Sequence, residues 1–232
     1  LVFLPQGGML ITERSGAIRH LDKDQNLSDP LEGLPEVFAK GQGGMLDLTL
    51  PPDYDENGWV YISYSEPDED GKASTALGRA KFTGDRFNDF EVLFRQEPKI
   101  DGKNHFGGRV VFRDGYVYLT MGERYQFDPA QDLSNHLGTI VRLNPDGSVP
   151  QDNPFVDDPN AQPEIWSYGH RNIEAAAVDP RTGHLWEAEM GPRGGDELNL
   201  VKKGENYGWP EVSWGKHYDG EEIPDPPTRP EF

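Results

Sequence analysis

The sequence predicts an all-β protein of the β-propeller class, and three observations carry that expectation. Gly (27) and Pro (20) are abundant in 232 residues, with aromatic and β-branched residues gathered in short runs between them, the pattern of many short strands joined by turns. One hairpin pattern recurs four times, as an apolar strand, an Asp/Gly/Pro turn and an aromatic strand. The repeats also start roughly 50 to 65 residues apart, the scale of propeller blades with loops.

The four hairpins are "LVFLPQGGMLITE", "LDLTLPPDYDENGWVYISYS", "RVVFRDGYVYLTMG" and "AAAVDPRTGHLWEAEM". A further strand-like stretch follows each: "AIRHLD", "GRAKF", "TIVRLN" and "ELNLV". Small antiparallel sheets of three or four strands bury both faces only by stacking on neighbours, which is what a propeller provides. A β-sandwich is the alternative, but its strands do not repeat one hairpin at a fixed interval. Within the second hairpin, "DYDENG" copies half of an EF-hand loop. Its twelfth position is Tyr64 rather than Glu, so it is read as a hairpin turn.

The formal charge is −19, from 41 acidic and 22 basic residues. Such a field repels phosphate backbones, so nucleic acid is not an expected partner. Without cysteine there are no disulfides, thiolate metal sites or cysteine nucleophiles. No apolar run approaches the ~20 residues of a membrane span.

Aligning the hairpins brings out three polar residues. Gln42 precedes Leu50 by eight positions, His105 precedes Phe112 by seven, and Arg171 precedes Val178 by seven. Each lies in the loop leading into the first strand of its repeat. Placed on one rim of a propeller, they are the convergent polar groups of a small-molecule site.

The blocks "GQGGMLDLTLPPDYDENGWVYISYS", "NHFGGRVVF", "QDLSNHLGTIVRLNPDGSVPQDNPF", "PEIWSYGHRN" and "EMGPRGGDELNLVKKGENYGWPEVSWGKHYDG" together resemble the soluble PQQ-dependent aldose sugar dehydrogenases, the glucose/sorbosone dehydrogenase family. The resemblance runs along nearly the whole chain. It implies a six-bladed propeller, of which about four blades are visible. Residues 1–232 are then expected to form a single propeller domain incomplete at both ends, holding PQQ from one side only and tending to associate. It also implies an oxidoreductase converting aldoses at C1 to lactones, with an external electron acceptor, in a periplasmic or secreted protein, monomeric or homodimeric.

By the same resemblance His105 corresponds to the general base, and Gln42, Arg171, Asn172 and Tyr218 to contacts with PQQ. Ca²⁺ is the second implied cofactor. Glu197 and the Tyr207 carbonyl match a structural site, and Gly191 and Pro192 a loop whose carbonyls hold the ion against PQQ. Three positions depart from the family pattern. Gly122-Glu123 replaces Gly-Asp, Ile173-Glu174 replaces Pro-Gln after "HRN", and Met190 stands where a polar residue is common. Two other function classes remain beside the enzyme: a calcium-binding scaffold or binding module without catalysis, and a hydrolase using the channel calcium to activate water.

Overall fold

The computed structural model describes residues 1–229. The chain divides into two compact units, one of residues 1–95 with 99–103 and one of residues 96–98 with 104–232. Both are built from antiparallel sheets joined as meanders.

In the first unit, β1 (Val2–Phe3), β2 (Met9–Thr12) and β3 (Ile18–Leu21) form one sheet. The second sheet runs β4 (Met45–Thr49), β5 (Trp59–Pro67), β6 (Ala73–Phe82) and β7 (Phe87–Arg95). Leu10 and Ile18 from one sheet pack with Leu48, Val60, Ile62 and Ala76 from the other, so each sheet gives the other an apolar face. The "DYDENG" segment is one helical turn, α1 (Tyr54–Asn57), inside the β4–β5 hairpin connection. It lies between strands, as the sequence indicates.

The second unit repeats the plan. One sheet is ordered β8 (Gly107–Arg113), β9 (Tyr116–Met121), β10 (Ile140–Leu143) and β11 (Ile165–Ser167), and the other β12 (Ile173–Val178), β13 (Leu185–Glu189) and β14 (Glu197–Leu200). Tyr118, Ile140 and Trp166 pack against Ile173, Leu185 and Val201 across the two sheets. Val117 through Met121 are all buried, as expected of a central strand covered on both faces. The β8–β9 hairpin pairs Arg113 with Tyr116. Its two loop residues, Asp114 and Gly115, have φ of 52° and 82°, the Asp-Gly turn whose twist matches that of the strands.

All four predicted hairpins are present, each with the strand that follows it. The outer strands β7 and β11 extend two of the sheets to four strands. Three- and four-stranded meanders are the blade unit of a β-propeller, and the fold class is the one the repeats predict.

Candidate functional site

His105 and Arg171 each lie two residues ahead of the first strand of their sheet, β8 and β12. The shared register read from the sequence therefore has a structural basis in the second unit. Gln42 belongs to the first unit, three residues before β4. Its backbone N–H donates to the Lys103 carbonyl at 2.8 Å.

His105 is buried, at 5 % exposure, and its backbone sits at φ 52°. Arg124, Tyr125 and Phe127 also have positive φ, at 58°, 63° and 64°. Such strained non-glycine positions cluster where surrounding structure over-determines them, commonly at functional sites. The Nδ1 of His105 lies 2.7 Å from Glu123 Oε1, a contact that fixes ring orientation and tautomer. The second carboxylate oxygen of Glu123 accepts from the backbone N–H groups of Gln126 and Phe127. Glutamate at this position thus still reaches the imidazole despite its extra methylene. Glu123 also donates its backbone N–H to the Arg171 carbonyl at 3.0 Å, tying the two candidate loops together.

Gly122 makes that junction possible. A Cβ there would lie 2.2 Å from the His105 carbonyl oxygen, far inside contact distance. Gly122→Ala should therefore destabilise the protein by roughly 1–3 kcal/mol through overpacking. Denaturant unfolding measures this, and a wild-type midpoint would show that the loop moves aside freely.

Against Tyr125, whose ring meets His105 edge-on at 5.2 Å, opens a cavity of about 680 Å³. Its wall includes Tyr125, Phe127, Arg171, Pro192, His217 and Tyr218. Phe127 and His217 on this wall cluster with Trp209 behind them. The Arg171 guanidinium lies 5.2 Å from the Trp209 ring and 6.0 Å from Tyr218, while its Nη1 donates to the Met190 and Gly191 carbonyls at 2.7 and 3.0 Å. Asn172 is 1 % exposed and does not line this cavity. Its Oδ1 accepts from the Gly107 N–H, and its Nδ2 donates to Glu174. It works as a strut between β8 and β12.

A second, much smaller cavity of about 10 Å³ is lined by Arg171, Glu189, Gly191, Glu197, Tyr207 and Trp209 among others. That volume suits a single water or ion. Glu197 and Tyr207, matched to the structural ion, line this cavity together with Gly191, while Pro192, matched with Gly191 to the loop beside PQQ, lies on the larger cavity. Burial, with Glu189 nearby, raises the Glu197 carboxyl to about 7. Burial and then Glu189 raise Glu187 to about 9. Asn199 donates to Glu187, Glu189 and Glu197 together. His170, Glu187 and Glu189 are therefore part of the region, although sequence reading did not single them out. In "KHYDG" the sequence singles out Tyr218 but not its neighbour His217, and nothing in it points to Phe127.

A nearly all-β chain of blade-like meanders, with a His–Glu pair beside an open cavity and an acidic pocket next to it, is a β-propeller with a candidate small-molecule site. The chain belongs to the glucose/sorbosone dehydrogenase family, which it matches over residues 1–232. It is 48 % identical over 229 residues to the aldose sugar dehydrogenase YliI of Escherichia coli K12, covering 97 % of this chain and 62 % of that protein. It is 31 % identical to quinoprotein glucose dehydrogenase B of Acinetobacter calcoaceticus over 95 % of this chain and 51 % of the relative. The apo crystal structure of the E. coli aldose sugar dehydrogenase superposes with a TM-score of 0.93 at 48 % identity, covering 95 % of this chain and 65 % of that one. The PQQ-bound aldose sugar dehydrogenase of Streptomyces coelicolor gives 0.79 at 31 % identity, covering 95 % and 64 %. The chain thus spans between about half and two thirds of the length of these relatives. Among the described residues no helix is long and apolar enough to cross a membrane.

Proposed function

We propose that this chain carries the proton-transfer half of a PQQ- and calcium-dependent aldose dehydrogenase. The observation that supports it most is the buried His105–Glu123 pair set against Tyr125 on the wall of a cavity of about 680 Å³. That volume lies in the range of cofactor sites.

The residues fit the two groups. An anionic quinone suits a site with a buried donor lacking a partner, and Arg171 Nε, on the wall of the large cavity, is such a donor. A hard cation wants oxygen ligands, and Glu197 and nearby carbonyls supply them around the small cavity. The Gly191 carbonyl accepts one hydrogen bond from Arg171 and keeps a second lone pair. When bound, PQQ supplies the two-electron acceptor. His105, with Nδ1 held by Glu123, takes the proton from the anomeric hydroxyl at Nε2 as C1 loses hydride, leaving the lactone. Arg171, at the cavity wall, stabilises negative charge arising on a bound anion. Tyr218 and Pro192 line the same wall. A location in the periplasm or outside the cell accords with this reading.

The test is reduction of a redox dye by purified protein supplied with PQQ and calcium, across several aldoses. Activity requiring both cofactors supports the reading; cofactor binding without turnover would favour a scaffold. Calcium should also raise the melting temperature by mass action. Glu197→Gln should remove most of that gain, and equal curves in calcium and chelator would end the calcium assignment.

A further inference from the structure

His170, Glu187 and Glu189 converge in the interior of the second unit, with one ligand-type atom from each lying within 4.8 Å of the others. His170 comes from the loop after β11, and both carboxylates from β13. All three are buried, at 0 %, 1 % and 6 % exposure. No Lys or Arg side chain among the described residues pairs with either carboxylate. Their partners are the Asn199 amide, the Arg171 backbone N–H and the imidazole itself. Glu187 Oε2 is buried with no hydrogen-bond partner at all.

The spacing is informative. His170 Nδ1 lies 3.4 Å from Glu189 Oε1 and 3.7 Å from Glu187 Oε1, long for charge-assisted hydrogen bonds. Atoms bound at about 2.0–2.1 Å around one tetrahedral ion sit about 3.3–3.4 Å apart. The other imidazole nitrogen, Nε2, is 2.9 Å from Ser167 Oγ, and the ring stacks on Tyr207 at 4.5 Å. An Nε2–H donating to Ser167 presents the Nδ1 lone pair to the carboxylates, the outer-shell arrangement usual for a metal-bound histidine.

We propose that His170 Nδ1, Glu187 and Glu189 bind a zinc-class divalent cation, at a site separate from the Glu197–Tyr207 calcium position. Two carboxylates and a neutral imidazole carry −2, which the ion neutralises where water cannot. Glu187 Oε2, buried without a partner, can bind the ion beside Oε1. One nitrogen among few ligands in a closed space suits zinc; calcium prefers six to eight oxygens. The ion would fasten the loop carrying Arg171 and Asn172 to β13. The proposal does not rest on PQQ chemistry, and its test needs no turnover.

Chelator-stripped protein is resupplied with excess calcium, titrated with Zn²⁺, and its bound metal measured after gel filtration. One equivalent of zinc is expected in the wild type and none in Glu187→Gln, with the calcium-induced rise in melting temperature kept in both. X-ray absorption of the zinc-loaded wild type should show a single imidazole with oxygen ligands, a readout independent of how well the variant folds. No stoichiometric zinc in the wild type overturns the proposal, as does equal uptake by a folded Glu187→Gln, or a ligand set without nitrogen.

Discussion

Replacing His105 with glutamine is expected to lower turnover by about 10²- to 10⁴-fold while PQQ binding persists, the usual loss when a general base is removed. Glutamine keeps much of the side-chain volume in a position only 5 % exposed, and its amide can still donate to Glu123. Chemistry and packing are thereby separated. Steady-state dye reduction gives the turnover, and titration of the protein with PQQ gives the affinity. Wild-type turnover in the variant would remove His105 from the mechanism, and loss of cofactor affinity alone would recast it as a binding residue.

The second large effect concerns cation removal and pH. Burial and neighbouring Glu189 raise Glu197 from 4.5 to about 7 and Glu187 from 4.5 to about 9. Between the unfolded and folded values the native protein holds protons that the unfolded chain has released. Stability of the metal-free protein therefore falls as pH rises from about 4.5 to 9 and is greatest at the acid end of that window. The Glu197 shift alone corresponds to a loss on the order of 3 kcal/mol, or roughly 10 °C in melting temperature for a protein this size. Calcium at the proposed site would take the ionised form, so the gap between melting curves in calcium and in chelator should widen with pH. Parallel curves from pH 5 to 9 would show that these carboxylates ionise without cost.

The hairpins were legible because their turns carry strong local chemistry, as at Asp114-Gly115, and because the same pattern occurs four times. The outer strands were harder. β7 pairs with β6 through two register shifts, which breaks the simple alternation, and β11 is three residues long after an extended loop. His105 and Arg171 could be found because a candidate side chain just before a repeated strand stands out against its register. Glu187 and Glu189 could not. In "LWEAE" they alternate with Trp186 and Ala188, a pattern that ordinarily assigns charge to the solvent face, yet Leu185, Glu187 and Glu189 are the buried set. Only the second sheet's interior, with Asn199 and His170 arriving from other segments, makes that face polar. Asn172 stands out in the sequence through its place in "GHRN"; its hydrogen bonds to Gly107 and Glu174 could not be read there, because those partners come from the starts of β8 and β12.

Arg171 lines both cavities and holds Glu189 through its backbone N–H. Thermodynamic reciprocity follows if occupying either cavity changes its position. Whatever factor calcium imposes on the affinity of the large cavity for an anionic ligand, that ligand must impose on the affinity for calcium. Affinities at the two positions are then not separate constants of the protein. Titrating cofactor at several fixed calcium concentrations, and calcium at several cofactor concentrations, should return one coupling factor, carried by a single guanidinium.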